Sequence, residues 1–238
     1  MSIDAQYGSL LHQGQFYNQK PLFKFGFNAV VGTDEETIWD QGGIYAYPAS
    51  ASIMKVSSSD DGDTSTVVIA GLDADYNEIS ETVTITGQTA VNTTNSFLRV
   101  FRARVTADEP SGDIYIGTGT VTTGVPANKY AKITAGENQT LMAVWTVPAN
   151  YTAYLYQGTI SSGTTTLNKF ATAKLKVKPF GEVLQTKAIV TLHNTFVDFD
   201  FGVPVAIPEK SDVEARALVS SGTDAISVTF SIIYIKND

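Results

Sequence analysis

"ATAKLKVKPFG", Ala171 to Gly181, decides the fold class, because Ala173, Leu175 and Val177 hold one set of alternate positions and Lys174, Lys176 and Lys178 the other. Side chains of an extended chain point to opposite faces in turn, so this stretch predicts a strand with an apolar inner face and a lysine outer face. A helix would need apolar residues three and four apart, and no long segment repeats them so. The same two-residue period runs through "TFVDFDFGVPVAIPEKSD" (195–212), with Val197, Phe199 and Phe201 inward and Asp198 and Asp200 outward. It returns in "DAISVTFSIIYIKND" (224–238), where Ile226, Val228, Phe230 and Ile232 form the core side. Ile233 breaks that stripe, which predicts a last strand covered on both faces or bulged.

Toward the amino terminus the strands are shorter and the turns more frequent. "GLDADYNEISETVTITG" (71–87) packs Asp73, Asp75, Asn77 and Glu78 together. Their spacing is that of a calcium loop, but such a loop needs Gly at its sixth position and Glu at its twelfth, where this sequence has Glu78 and Thr84. Val67, Ile69 and Leu72 lead in, and Ile79, Val83 and Ile85 lead out, so a β-hairpin with its tip at Asp73 to Asn77 is expected; a weak surface cation site is the alternative. Glu81 falls on the apolar stripe of the outgoing strand. Further turn clusters stand at "DQGG" (40–43), "SSSDDGD" (57–63) and "TGQT" (86–89), a rhythm that suits a sandwich or barrel. In "SFLRVFRARVTA" (96–107) Arg99, Arg102 and Arg104 fall on both faces and leave the pattern unresolved. In "PLFKFGFNAVVG" (21–32) Phe23, Phe25 and Phe27 alternate with Lys24 and Gly26, the mark of a first core strand or of an arm lying on a neighbouring subunit. The expected architecture is all-β, an antiparallel β-sandwich or jelly roll in two β subdomains. Its parts are an arm or first strand at 1–36, an amino-terminal β domain at 37–125 and a carboxy-terminal sandwich at 126–238.

Composition narrows the function. The 238 residues are 43% hydrophobic and 17% charged, enough apolar material for a packed core. A net charge of −8 argues against nucleic acid as the principal partner, since phosphate binding needs clustered Lys and Arg. With no cysteine there is no disulfide scaffold and no thiolate chemistry. "MSIDAQYGSLLHQGQ" has no basic cluster and no apolar core of a secretory signal, and no apolar run approaches a membrane span, so a soluble chain made in a cytoplasm is expected.

Catalytic sets are equally scarce. The two histidines, His12 and His193, are far apart, and His193 in "VTLHNTF" reads as a half-buried sheet residue. No G-x-S-x-G or H-E-x-x-H motif occurs. "IGTGTVTTG" (116–124) matches two glycines of a phosphate loop, but Thr122 stands at the third position and no helix follows, so turns or bulges are expected. Acids gather at turn tips, where water keeps them ionised. No catalytic residue, cofactor or metal ligand is assigned, and a non-enzymatic role is expected. A carboxylate pair meeting only in space stays open.

The block from "IWDQGGIYAYPASASIMKV" to "TTNSFLRVFRARV" resembles virion structural proteins of tailed bacteriophages that infect marine bacteria and cyanobacteria. Its marks are the W-D-x-G-G-x-Y-x-Y-P opening, the G-L-D-A-x-Y-N-E hairpin and the T-N-S-x-L-R-V-F-R-A strand; "MAVWTVPANYTAYLYQGTISSG", "KVKPFGEV" and "IPEKSDVEARA" extend the likeness. The resemblance implies a virion component that assembles with copies of itself and other virion proteins, as capsid decoration or in the neck or tail. Interface candidates are then Phe23, Phe25 and Phe27, Tyr45 and Tyr47, Tyr151, Tyr154 and Tyr156, and the ridge Lys174, Lys176 and Lys178, which would dock an acidic neighbour or guard a sheet edge. Trp39 and Trp145 are read as core. The rival reading is a host-surface, carbohydrate-binding module of a tail fibre, with "GIYAYP" (43–48) and "ANYTAYLYQG" (149–158) as stacking platforms for a host glycan.

Overall fold

A computed structural model describes residues 10, 13, 14, 16, 18–163 and 168–238. Among them the elements are sixteen strands, numbered β1 to β16 in chain order, and every strand pairing is antiparallel. They form two sandwiches, as the alternation and turn spacing predict.

The carboxy-terminal sandwich joins a sheet of β1 (Gln19–Val31), β16 (Asp224–Lys236), β11 (Tyr151–Ser162) and β14 (Phe196–Ile207), in that order. Facing it is the sheet of β10 (Val144–Thr146), β15 (Asp212–Val219), β12 (Ala171–Lys178) and β13 (Gln185–Leu192), with β2 (Glu36–Thr37) also on β15. The alternating stretches face as their sequences dictate: Ala173, Leu175 and Val177 from one sheet meet Ile226, Val228, Phe230 and Ile232 from the other in a common core. β16 keeps its alternation past Ile233. The irregularity lies instead in its partner, where β11 shifts register between Leu155 and Gln157. Ile233 sits on the outer face, paired with Pro21 and Tyr154.

In the amino-terminal sandwich, β6 (Val91–Phe97), β3 (Ser52–Ser58), β8 (Ile114–Thr122) and β9 (Val125–Ile133) make one sheet. β5 (Glu78–Thr84), β4 (Thr66–Leu72) and β7 (Arg99–Ala107) make the other. The unresolved arginine strand is explained by a bulge: Gly71 pairs with Val100 and Ala70 with Arg102, so Phe101 is the extra residue. Val100 and Ala103 can then both enter the core, while Phe101 packs against the other sandwich. Glu81 lies on the apolar stripe because its carboxylate accepts the N–H groups of Thr94 (2.6 Å) and Asn95 (2.8 Å), tying β5 to β6.

Two boundaries depart from expectation. Val125 opens β9, which pairs along β8, so a division at 125/126 would cut a hairpin; residues 126–133 belong to the amino-terminal sandwich. The separation comes later and is a shared strand rather than a linker. Met142 and Val144 enter one core, and Ala143, Trp145 and Val147 the other. Near the start, 19–37 supplies two strands of the carboxy-terminal sandwich, so the described part of 1–36 is a first strand and not an arm. Its phenylalanines, however, face outward. Phe23 is 52% exposed and Phe27 37%, while Lys24, Gly26 and Asn28 point in. Close approach forces this choice: a Cβ on Gly26 would lie 2.4 Å from the Ala143 nitrogen and 2.5 Å from the Ile38 oxygen, so no phenylalanine fits on that side.

Candidate assembly surface

β14 ends one sheet of the carboxy-terminal sandwich and β13 ends the other, and a short turn through His193, Asn194 and Thr195 joins them. The sandwich is therefore open along this side, with two unpaired strand edges. Exposed apolar side chains stand on these strands and the adjoining loop: Val183, Ile189, Phe196 and Val203 are 76%, 61%, 64% and 84% exposed, Ile189 on the outer face of one sheet and Phe196 on that of the other. Val203 protrudes for a local reason. β11 pairs Leu155 with Val205 and Gln157 with Asp200, so Phe201 to Pro204 bulge out opposite the single residue Tyr156. Pro204 lacks an N–H and Gly202 weakens extended structure, which leaves Phe196–Asp200 as the regular part of the free edge.

The outer face of the same sheet is a shallow trough of about 530 Å³. Short polar residues of the middle strands, Thr159, Thr229 and Ser231, make its floor; Phe23 on β1 and Asp198 and Asp200 on β14 make its sides. Thr159 donates to Asp198 at 2.6 Å.

Several predicted interface residues lie elsewhere. Tyr45 is 3% exposed, donates its hydroxyl to the Val100 carbonyl at 3.1 Å, and stacks edge-on between Trp39 (5.0 Å) and Tyr47 (4.9 Å). Tyr45 is thus core, and half-buried Tyr47 is its support, because the "GIYAYP" segment is pinned against the junction of the sandwiches. Trp39 and Trp145 are both buried. Lys174 and Lys176 are corrected too: both bind Glu35 within the chain, at 2.8 and 2.9 Å, and Arg216 joins them at 3.3 Å. Burial alone would raise the Glu35 carboxyl, but the hydrogen bonds and charges of the two lysines outweigh it and hold it at about 2. Only Lys178 of the ridge stays exposed. Tyr151, Tyr154 and Tyr156 are half-buried, with Tyr151 edge-on to Tyr234 at 5.2 Å.

His193 is exposed in the turn between β13 and β14 rather than half-buried in a strand, and His12 lies outside the described residues. Among the described residues no group of three His, Cys, Asp or Glu is placed to hold a metal ion, and no helix is long and apolar enough to cross a membrane.

Sequence reasoning missed the polar seam between the sandwiches. Arg99 is 8% exposed and clamps Asp212 with two hydrogen bonds, Nε to Oδ1 at 2.8 Å and Nη2 to Oδ2 at 3.1 Å. Its Nη1 donates to the carbonyls of Pro48 and Leu98, its guanidinium lies over the rings of Tyr47 (5.0 Å) and Tyr76 (5.8 Å), and Thr146 donates to Asp212 at 2.6 Å. The only hint was an arginine out of phase in a strand. Lys24, 4% exposed, donates to the Phe101 carbonyl at 2.5 Å, and burial, then the charge of Arg102, push its ammonium down to about 7.

No protein-family model and no curated protein matches the chain. Among solved structures it is similar to that of infectious bursal disease virus Gx strain at 10% identity and TM-score 0.22, covering 92% of this chain and 77% of that one. It is also similar to the infectious bursal disease virus VP2 subviral particle, at 10% identity and TM-score 0.21, covering 98% and 82%. The infectious bursal virus derived T=1 particle gives 9% identity and TM-score 0.23, covering 97% and 79%. At such TM-scores these likenesses carry nothing about how this chain works.

Proposed function

We propose that this chain is a non-enzymatic structural protein of a bacteriophage particle, at the head surface, neck or tail, and that it binds copies of itself and other virion proteins through the open side of its carboxy-terminal sandwich. One observation carries this reading: β13 and β14, the last strands of their two sheets, each leave an unpaired edge on the same side of the sandwich, with exposed Ile189 on one and exposed Phe196 and Val203 on the other. Monomeric proteins blunt such edges or cover them, and free backbone donors and acceptors along an edge fit a neighbouring strand. The sequence resemblance to phage virion proteins points the same way and supplies the particle.

Analytical ultracentrifugation and negative-stain microscopy of the purified chain test the mechanism. The wild type should self-associate with rising concentration. The pair Phe196→Lys and Val203→Lys should stay monomeric with an unchanged melting temperature, since both positions are exposed. Immunogold labelling of phage particles tests the location, because label on head, neck or tail assigns the position. A chain that stays monomeric at high concentration and is absent from labelled particles would refute the proposal.

A further inference from the structure

The seam between the sandwiches opens on one side into a cleft. Its narrower part, about 320 Å³, is lined by Tyr76, Lys178, Phe180, Glu182 and Lys210; its wider part, about 540 Å³, by Tyr47, Ser50, Ala74 and Leu98. Tyr76, Arg99 and Lys178 line both.

Four chain segments converge on the narrow part, with β7 supplying Arg99 at its back. Tyr76 comes from the β4–β5 turn, where a left-handed backbone (φ 65°) turns it out of the hairpin. Its amide donates to the Asp73 carbonyl at 3.1 Å, and its own carbonyl accepts from Ala149 at 3.0 Å. Phe180 comes from the β12–β13 loop and meets Tyr76 edge-on at 5.8 Å, yet stays 63% exposed. Lys210, in the β14–β15 turn, is also left-handed (φ 59°), fixed by a 2.8 Å hydrogen bond to the Val147 carbonyl. Its ammonium lies 5.7 Å from the Tyr76 ring centre and 5.5 Å from that of Phe180. Two non-glycine residues in left-handed backbone thus bring an aromatic pair and a cation together.

The charge balance indicates the ligand. Arg99 is neutralised by Asp212, whereas Lys178 and Lys210 have no ion pair among the described residues. In a chain of net charge −8, two unpaired ammonium groups beside exposed aromatic surface reverse the local sign. Glu182 also lines the cleft, accepting from Gln185 Nε2 at 2.9 Å. A polyanion or a phosphate would meet that carboxylate as repulsion; a ligand with hydroxyl donors would bond it. The set therefore fits one negative charge, several hydroxyls and a flat C–H face for Phe180.

We infer that this cleft binds an acidic sugar residue of the hexuronate type, its carboxylate on Lys210 and Lys178 and its ring against Phe180. The inference does not rest on the assembly reading, because the cleft and the open β13–β14 side use different residues.

Isothermal titration of the full chain with tetragalacturonate and tetramannuronate at low salt tests it, alongside a neutral hexose tetramer and hexaglutamate. At least one uronate tetramer should bind and weaken as salt rises, with neither control binding comparably. Lys210→Gln and Phe180→Ala should each weaken binding about tenfold or more, leaving the thermal melt and the self-association unchanged. Equal or tighter binding of hexaglutamate would make this a docking cleft for acidic protein and overturn the inference. So would comparable binding of the neutral tetramer, failure of both uronates at millimolar concentration, or variants that bind as well as the wild type.

Discussion

The turns of the amino-terminal sandwich are tied down by carboxylates, and those of the carboxy-terminal sandwich at its open side are not. Asp63 accepts from the Ser58 hydroxyl (2.5 Å) and from the amides of Ser111 (2.8 Å) and Gly112 (3.0 Å). Burial opposes its ionisation, but these donors win and hold its carboxyl below the usual range. Asp113 likewise joins the Ala135 amide (3.0 Å), the Tyr115 hydroxyl (3.2 Å) and Lys132 (2.9 Å). By contrast, the turn between β13 and β14 carries exposed His193, Asn194 and Thr195 and leads into exposed Phe196. The amino-terminal sandwich commits these carboxylates to its own turns. The carboxy-terminal one leaves strand edges and exposed Ile189, Phe196 and Val203 at its open side, which is where the proposed assembly contacts would fall.

The strongest way to break this pairing is at the seam. Arg99→Met removes a buried cation and strands Asp212, which should cost about 3–5 kcal/mol. Because the clamp joins β7 of one sandwich to β15 of the other, calorimetry should also show one transition separating into two. Arg99→Met combined with Asp212→Leu should recover part of the loss, since the orphaned charge is then gone. A single variant within about 0.5 kcal/mol of wild type would mean that the clamp contributes nothing.

Lys24 gives the next largest effect, and through pH. Its folded ammonium titrates at about 7 against 10.5 when unfolded, so between these values the unfolded chain binds the extra proton. Stability therefore rises with pH across that window: the penalty is fully present below 7 and gone above 10.5. From pH 7 to 9.5 the gain should be on the order of 3 kcal/mol. Urea unfolding at the two pH values measures it. Lys24→Met should flatten the rise, and a rise surviving that substitution would assign it to another group.

Where a strand buries one face against a regular neighbour, its alternation is legible from sequence, as β12, β14 and β16 demonstrate: core and exterior can be assigned residue by residue. It misleads where packing distance decides. The Phe23, Phe25 and Phe27 stripe is the apolar face of β1, yet only the Gly26 side can approach the backbones of Ile38 and Ala143. Pattern also cannot foresee a bulge made by the partner strand, as at Phe101 or opposite Tyr156. The lysine ridge was visible but its partner Glu35 was not, since the two meet only when β2 and its approach fold over β15. The clamp and the cleft are contacts between residues a hundred or so positions apart, which no local spacing encodes.

The finest distinction between the two halves lies in the Asp73 turn. Asp73 Oδ1 accepts the amides of Asp75 and Asn77, both at 2.9 Å, and Oδ2 accepts from Asn77 Nδ2 at 3.2 Å. The carboxylate is thus committed to organising its own hairpin, as an Asx-type turn does. Asp73→Ala should cost about 1 kcal/mol, comparable to losing a helix cap, and Asp73→Asn less because one acceptor oxygen survives. Calcium provides the control. With both oxygens engaged within the turn, millimolar calcium should leave the melting temperature of the wild type where it is. A calcium-dependent rise that disappears in Asp73→Ala would instead make the turn a weak cation site, and part of the amino-terminal sandwich's self-sufficiency would then depend on a bound ion.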